Sequence, residues 1–214
     1  MPVVTIRGQL GSGAPEIGRL IAEKLHAEYV DREIIARVAE LLNRKEKDVM
    51  EKEMPPGRLM GRIALALEHT PPIPSPTGMH ATEPYLPAWE IPLDDTLYLA
   101  GLKSVIRELA ASESLVIRGR GSQFILKHWP RALHVLFVSP LKLRVMRVME
   151  DMKTDEEIAK KEIASFDSSR HQFIKKYFDA ELEDPIHYDL VINTEHLSFE
   201  AAASIVINTL QFKS

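Results

Sequence analysis

Residues 3–25 read VVTIRGQLGSGAPEIGRLIAEKL, which is an apolar run followed by a glycine-rich loop and an amphipathic helical pattern. The phosphate-binding loop motif G-x-x-x-x-G-K-[ST] requires this order of strand, loop and helix. Gly8 and Gly13 occupy the two glycine positions of the motif. Ala14 stands in place of its Lys, and Pro15 stands in place of its Ser or Thr. The loop therefore predicts a phosphate-binding fold that lacks the cationic and magnesium-binding side chains of the motif.

Length and composition are those of one globular α/β domain with an inserted segment. The chain has 214 residues and 45% apolar residues, enough for a full core. Its net charge of −4 provides no basic field for nucleic acid, and the absence of cysteine excludes disulfides and thiolate metal sites. No apolar run approaches the roughly 18–20 residues that span a bilayer, and the N-terminus lacks a signal-peptide pattern. We expect a soluble cytoplasmic protein without nucleic-acid or membrane partners. The oligomeric state stays open, and a homo-oligomer is one of the alternatives.

Four further apolar runs predict strands, at residues 28–30, 115–117, 134–138 and 189–192. Their near-continuous apolar character is typical of parallel sheets that are covered on both faces. Helical patterns lie between them, which indicates βαβ units. We therefore expect a three-layer α/β fold with a five-stranded parallel sheet and helices on both faces. Within it, Thr154 is predicted to cap a helix that begins a charged stretch, and a last helix is predicted over residues 199–210.

Residues 54–92 interrupt this pattern with nine of the fourteen prolines. The prolines of residues 71–76 exclude a regular helix and a central strand. Two interpretations remain open: a surface loop, or an arm over the acceptor site in which Tyr85 and Trp89 make contacts. The predicted organisation is a core of residues 1–53 and 93–214, a Pro-rich insertion at 54–92, and a helical lid region at 150–178.

Several arginines are candidates for the charge that the loop lacks. Arg7 directly precedes the loop, and Arg120 follows the third strand between two glycines. Ligands of open α/β sheets bind at the carboxyl ends of the strands, so Arg120 is the candidate for an acceptor phosphate. The alternative for Arg120 is a solvated side chain in a turn. Asp31 and Arg32 follow the second strand at the same edge, where Asp31 is equally well placed to cap the next helix.

A second arginine group lies late in the chain. Arg144 and Arg147 share one helical face, and Arg170 lies three residues after Asp167. These arginines are candidates to close over phosphates as part of a lid, and the alternative is that they are ordinary surface residues. None of the eight histidines has metal-ligand spacing, so we expect no metal site formed by the protein alone.

Taken together, these residues resemble the cytidylate kinase-like family, a nucleoside monophosphate kinase branch of the P-loop NTPase fold. The resemblance is carried by residues 5–6, 11–13, 16–18, 29–35, 116–121, 167–174 and 189–194. It implies transfer of a phosphoryl group from ATP, with Mg²⁺, to a small nucleotide-type acceptor. The alternative is a catalytically inactive nucleotide- or phosphate-binding protein with a regulatory or assembly role.

The resemblance also implies roles for individual residues. Gly11, Ser12 and Gly13 would hold donor phosphates, and Arg120 would hold the acceptor phosphate. Arg144 and Arg170 would act as lid cations on the transferring group, and Asn193 with Thr194 would lie where such kinases shape the adenine pocket. The further candidates for nucleotide or phosphate binding are Gly8, Asp31 and Arg32. Members without the loop lysine commonly have Gly-Arg where this chain has Ala14-Pro15. Cytidylate kinases have Asp after the Gly-Arg that resembles Gly119-Arg120, and here that position is Gly121. Selectivity for cytidine is therefore not predicted.

Overall fold

Five parallel strands form the sheet of the computed structural model, which describes residues 1–53, 93–112 and 114–213. They are β1 (Val3–Gly8), β2 (Glu28–Val30), β3 (Leu115–Arg118), β4 (Ala132–Val138) and β5 (Leu190–Asn193). The order across the sheet is β2-β3-β1-β4-β5, with every neighbouring pair parallel. The predicted strands and the parallel sheet are confirmed, with bounds that shift by one or two residues.

Eight helices accompany these strands in the described part of the chain. They are α1 (Ala14–Leu25), α2 (Glu33–Leu41), α3 (Glu46–Lys52), α4 (Asp95–Ser112), α5 (Ser122–Ile125), α6 (Leu141–Met152), α7 (Glu156–Phe178) and α8 (Phe199–Leu210). A short 3₁₀ turn, Pro185–His187, precedes β5. The predicted last helix is confirmed as α8. The Pro-rich insertion at 54–92, with Tyr85 and Trp89, lies outside the described residues.

Both faces of the central strands are covered, because alternate apolar residues of β1 and of β3 enter different clusters. Val4 and Ile6 of β1 pack with α1 and α8, while Val3 packs with α2 and α4. Ile17 and Ile21 on the apolar face of α1 are fully buried. Removing such a side chain from water contributes about 1.5–3 kcal/mol to folding. The three-layer arrangement is thus confirmed.

Two predicted helix caps are wrong. The N-cap of α7 is Asp155 rather than Thr154, and its carboxylate accepts a hydrogen bond from the N–H of Ile158 at 2.8 Å. Helix α2 begins at Glu33, and Asp31 does not cap it. The carboxylate of Asp31 instead accepts hydrogen bonds from Arg118, at the end of β3, and from Arg120, in the turn after it. Such charged hydrogen bonds are stronger than one from a neutral backbone N–H.

The topology places the site at one edge of the sheet. The chain leaves β1 for β2 and β3 on one side and later reaches β4 on the other, so the order reverses at β1. Ligand crevices of open α/β sheets form at such a point, outside the carboxyl ends of the strands. The loop after β1 and the turn after β3 therefore open on the same crevice, with Gly8 and Arg118 at the strand ends.

Candidate functional site

The glycine-rich loop after β1 contains two glycines in the left-handed conformation. Gly11 and Gly13 both have a φ of +82°, a left-handed conformation that L side chains rarely adopt. A Cβ on Gly11 would lie 2.7 Å from the carbonyl oxygen of Arg144, and one on Gly13 would lie 2.3 Å from the ring of Phe199. Gly13 is also the N-cap of α1, so the positive end of that helix points toward the loop. Successive N–H groups in this geometry form an anion-binding concavity.

Arg147 and Thr194 hold the loop from behind. The Arg147 guanidinium donates to the carbonyl of Gly11 at 3.2 Å and to the carbonyl of Thr194 at 3.0 Å. The hydroxyl of Thr194 accepts from Arg147 at 3.1 Å and donates to the carbonyl of Ser12 at 2.8 Å. Thr194 is fully buried, so its contribution at the loop is to fix the backbone. Arg147, which the sequence offered only as a lid candidate, is part of this framework.

Arg144 and Asp167 join the loop to α7. The guanidinium of Arg144 donates to Asp167 Oδ2 at 2.6 Å, and Asp167 Oδ1 accepts from the N–H of Leu10 at 3.3 Å. Arg144 is 6% exposed. Its charge is therefore already matched by a carboxylate in this structure, and the pair anchors the long helix against the loop.

Arg120 lies on the opposite side of the loop, between two carboxylates. Its Nη1 donates to Asp31 Oδ1 at 2.8 Å, and its Nε and Nη2 donate to Glu53 Oε1 and Oε2 at 3.0 and 3.4 Å. Although burial favours the neutral form, Glu53 and Asp31 hold the pKa of Arg120 above its ordinary value. Arg120 also has a φ of +52°, uncommon for a side-chain-bearing residue. Strain of this kind concentrates at functional sites.

Arg118 and Arg170 complete this arginine cluster. Arg118, at the end of β3, donates through Nε to Asp31 Oδ2 at 2.9 Å. Burial raises the pKa of Asp31, but the two arginines bound to it lower that pKa below its ordinary value. Arg170, on α7, lies 3.7 Å from Glu53 and stacks over the ring of Phe166, with 5.2 Å between guanidinium and ring centroid. Its side chain remains 30% exposed, so it is the least constrained of the arginines here.

Two adjoining pockets result. The larger, about 250 Å³, is bordered by the glycine loop, Pro15, Arg147 and Phe199. The smaller, about 30 Å³, is bordered by Asp31 and the arginines of β1, β3 and α7. Gly8, Arg118 and Phe166 line both, so the two spaces meet at the end of β1.

The structure brings most of the predicted site residues to the carboxyl ends of the strands, but they differ in whether they line a pocket and in how buried they are. Gly8, Gly11, Gly13, Asp31, Arg120 and Arg170 line one or both pockets. Ser12, Arg144 and Thr194 lie at the loop but are buried. Arg32 and Asn193 are exposed and line neither pocket, and the side-chain oxygen of Asn193 accepts from the N–H of Glu195 at 3.0 Å.

Sequence reasoning did not identify Glu53 as part of the site. It follows α3, carries no motif, and lies 67 residues from Arg120 along the chain. Within residues 1–53, 93–112 and 114–213, no group of three or more His, Cys, Asp or Glu side chains could hold a metal ion. No helix in the same ranges is both long and apolar enough to cross a membrane.

The loop, the parallel sheet and the arginine cluster agree with a family match over residues 3–196, to the model of the cytidylate kinase-like family. The chain belongs to the cytidylate kinase-like family. The cytidylate kinase of Methanothermobacter thermautotrophicus is 25% identical over 201 residues, which cover 94% of this chain and 99% of that enzyme. The uronate isomerase of Corynebacterium glutamicum is 31% identical over 100 residues, or 47% of this chain and only 19% of the isomerase.

A solved structure supports the fold along the whole chain. An uncharacterised protein from Eubacterium ventriosum superposes with a TM-score of 0.66 and covers 99% of both chains. The two chains are 18% identical in sequence, so this likeness concerns the fold alone.

Proposed function

We propose that this protein transfers a phosphoryl group from ATP to the phosphate of a small nucleotide-type acceptor, as a nucleoside monophosphate kinase does. The observation that carries the proposal is the meeting of the two pockets at Gly8, Arg118 and Phe166. One pocket borders a glycine loop suited to donor phosphates, and the other borders arginines suited to an acceptor phosphate. Direct transfer requires this adjacency, because attacking and leaving oxygens lie in line on the same phosphorus.

ATP would supply the transferable phosphoryl group from the larger pocket. The left-handed glycines and the start of α1 suit polyphosphate oxygens, because backbone N–H groups in this conformation and at a helix N-terminus bind anions. Residues on the rim, Phe199 and Met152 among them, provide apolar surface for a base. Arg147 holds the loop carbonyls, so in this mechanism it preserves the shape of the loop.

Magnesium does not fit the loop in the usual way. The position that provides a hydroxyl ligand in the motif is Pro15, which has neither a side-chain oxygen nor a backbone N–H. We therefore assign no step to a metal held by the loop, and charge neutralisation falls to the arginines of the neighbouring pocket.

Acceptor binding would exchange one anion for another at Arg120. An acceptor phosphate presents the same planar pair of oxygens that Glu53 presents now, and bidentate arginine contacts suit both. Asp31 would stay bound and keep the guanidinium oriented from its other side. Arg118, which lines both pockets, is placed to neutralise charge on the group in transfer.

A second function, nucleotide binding without turnover, is favoured by two residues. Ala14 is 1% exposed and offers no charge, and Pro15 removes a donor at the start of α1. A chain with these residues keeps the concave loop but stabilises less of the charge that develops in transfer.

The two functions are separated by measuring ADP formation from Mg-ATP with a panel of nucleoside monophosphates, together with melting temperatures in ATP. The kinase proposal predicts acceptor-dependent ADP formation that falls about a hundredfold or more in Arg120→Gln. Arg107→Gln, an exposed arginine on α4, is the matched control and should retain full activity. A melting shift in ATP without ADP formation supports the binding function, and no shift with any nucleotide contradicts both.

A further inference from the structure

Arg7 is a buried arginine inside the central strand of the sheet. It lies on β1 directly before the glycine loop and is only 6% exposed. Its Nη1 donates to the carbonyl of Gly8 at 2.7 Å, while its Nε and Nη2 are buried without a hydrogen-bond partner among residues 1–53, 93–112 and 114–213. Burial, with a contribution from nearby Arg170, lowers its pKa to about 10. The side chain nevertheless remains a cation at neutral pH.

An unpaired edge on a buried guanidinium is unfavourable for folding. A buried donor without an acceptor costs about 1–3 kcal/mol, and more when the group is charged. The other charged groups at this edge are paired with one another, since Arg118 and Arg120 bind Asp31 and Arg144 binds Asp167. Arg144 Nε is also buried without a partner, but Arg144 is neutralised by Asp167. Arg7 differs from it, because no carboxylate of the described residues forms an ion pair with Arg7, and Arg7 lines the smaller pocket.

The charges around this pocket do not balance. Four guanidinium groups, those of Arg7, Arg118, Arg120 and Arg170, face two carboxylates, those of Asp31 and Glu53. The two other carboxylates near Arg7 are engaged outside the lining, Asp167 by Arg144 and Glu183 by the amide of Gln9. The amide of Gln9 is neutral, so Glu183 keeps its negative charge near Arg7, but the arginines still outnumber the carboxylates. The pocket thus has a net positive charge, which suits an anion such as a phosphate monoester.

We propose that the free edge of Arg7 binds the phosphate dianion of the acceptor. The proposal rests on the proposed function for the identity of the pocket as the acceptor side. The cavity of about 30 Å³ has room for roughly one or two water molecules as it stands. A phosphate needs more room than this, and outward rotation of Arg170, which is held by one 3.7 Å ion pair and a ring contact, would provide it.

The test is binding, so it does not depend on turnover. Calorimetric titrations with inorganic phosphate, CMP, cytidine and ATP are compared for wild type, Arg7→Met, Arg7→Lys and the control Arg107→Gln. We expect Arg7→Met to weaken CMP and inorganic phosphate about tenfold to a hundredfold, as for loss of hydrogen bonds to a charged group. Arg7→Lys should lose less affinity for CMP and inorganic phosphate, because lysine keeps the positive charge. Cytidine, which has no phosphate, should show no dependence on residue 7.

The unliganded proteins distinguish a ligand-binding role from a structural one. Because Arg7→Met removes unpaired buried donors, its melting temperature should equal or exceed that of wild type. A lower melting temperature with unchanged CMP affinity would mean that Arg7 is structural, which overturns the proposal. If Arg7→Met weakened the binding of ATP only, Arg7 would act on the donor phosphates, and this result would also overturn the proposal. CMP and phosphate binding through Arg7 without ADP formation would leave this inference standing while the kinase function fails.

Discussion

Glu53 and Arg120 form a two-point ion pair, with distances of 3.0 Å from Nε to Oε1 and 3.4 Å from Nη2 to Oε2. Both side chains are less than 10% exposed. The carboxylate thereby occupies the arginine that the sequence indicates for an acceptor phosphate. In the proposed function, an acceptor phosphate must displace Glu53 from Arg120.

Replacing Glu53 should affect stability and binding in opposite directions. Glu53→Gln removes one carboxylate from a buried arginine that keeps Asp31, so we expect a loss of about 1–3 kcal/mol in the free energy of unfolding. The same change removes the competing anion and should tighten CMP binding severalfold. Urea denaturation and calorimetry measure the two effects, with the exposed Glu108→Gln on α4 as control. Weaker CMP binding in Glu53→Gln would show that the carboxylate does not compete with the acceptor.

The hydroxyl of Thr194 should determine how firmly the loop is held. Thr194→Val keeps the shape of a fully buried side chain but leaves the carbonyl of Ser12 without its donor at 2.8 Å. We expect a destabilisation of about 1–3 kcal/mol and faster hydrogen exchange at the amides of Gly11 and Gly13. Thr209→Val, whose hydroxyl bonds only a carbonyl of its own helix, should change neither. Equal hydrogen-exchange rates at these two amides in both variants would mean that the hydroxyl of Thr194 does not hold the loop.

His134 should make the fold sensitive to mild acid. Burial lowers the pKa of His134, whose Nδ1 is 2.8 Å from the hydroxyl of Thr5. The unfolded chain then binds more protons than the folded one just below pH 6.5, so stability decreases as the pH falls through 6.5 toward the folded-state pKa. Denaturant titrations between pH 7.5 and 5 should show this decrease, and His134→Gln should reduce it. A slope that is the same in both proteins would assign the effect to other groups.

Restoring the motif should raise activity. Ala14→Lys with Pro15→Ser returns the cation and the magnesium-binding hydroxyl to the start of α1, next to the larger pocket. We expect about a tenfold or greater increase in ADP formation over wild type, by analogy with the loss on removing one stabilising group. The single variant Ala14→Lys separates the charge from the hydroxyl. Activity that falls in the double variant would indicate that the arginines have replaced the loop groups and conflict with them.

The parts of the fold that follow local rules were predictable from the sequence. The loop of residues 8–13 and the strand at 115–118 show their structure in short patterns of glycine and apolar residues. The edge of the sheet that holds the site followed from the parallel arrangement. The cap of α7 was misplaced by one residue because Thr154 and Asp155 are adjacent and both suit that position.

The pairing of charges at the site was not predictable in this way. Arg120 meets Glu53 across 67 residues, and Arg147 meets Thr194 across 47, in contacts that no local spacing encodes. The burial of Arg7 depends on Phe166 and Arg170, which are contributed by α7 far along the chain. Sequence patterns therefore indicated these arginines only as a group of candidates, while the structure was needed to tell which of them are already paired.

The most direct test of two adjoining donor and acceptor pockets is the affinity for a bisubstrate analogue, adenosine and cytidine joined through five phosphates. A ligand that reaches both sites gains the second contact at high effective concentration, so it should bind about a hundredfold or more tightly than ATP or CMP alone. Arg120→Gln should remove most of that gain, and Arg107→Gln should leave it intact. Because no base is predicted for the acceptor, the contradicting result is that no analogue of this length, with cytidine or with any other common nucleoside in its place, binds more tightly than ATP.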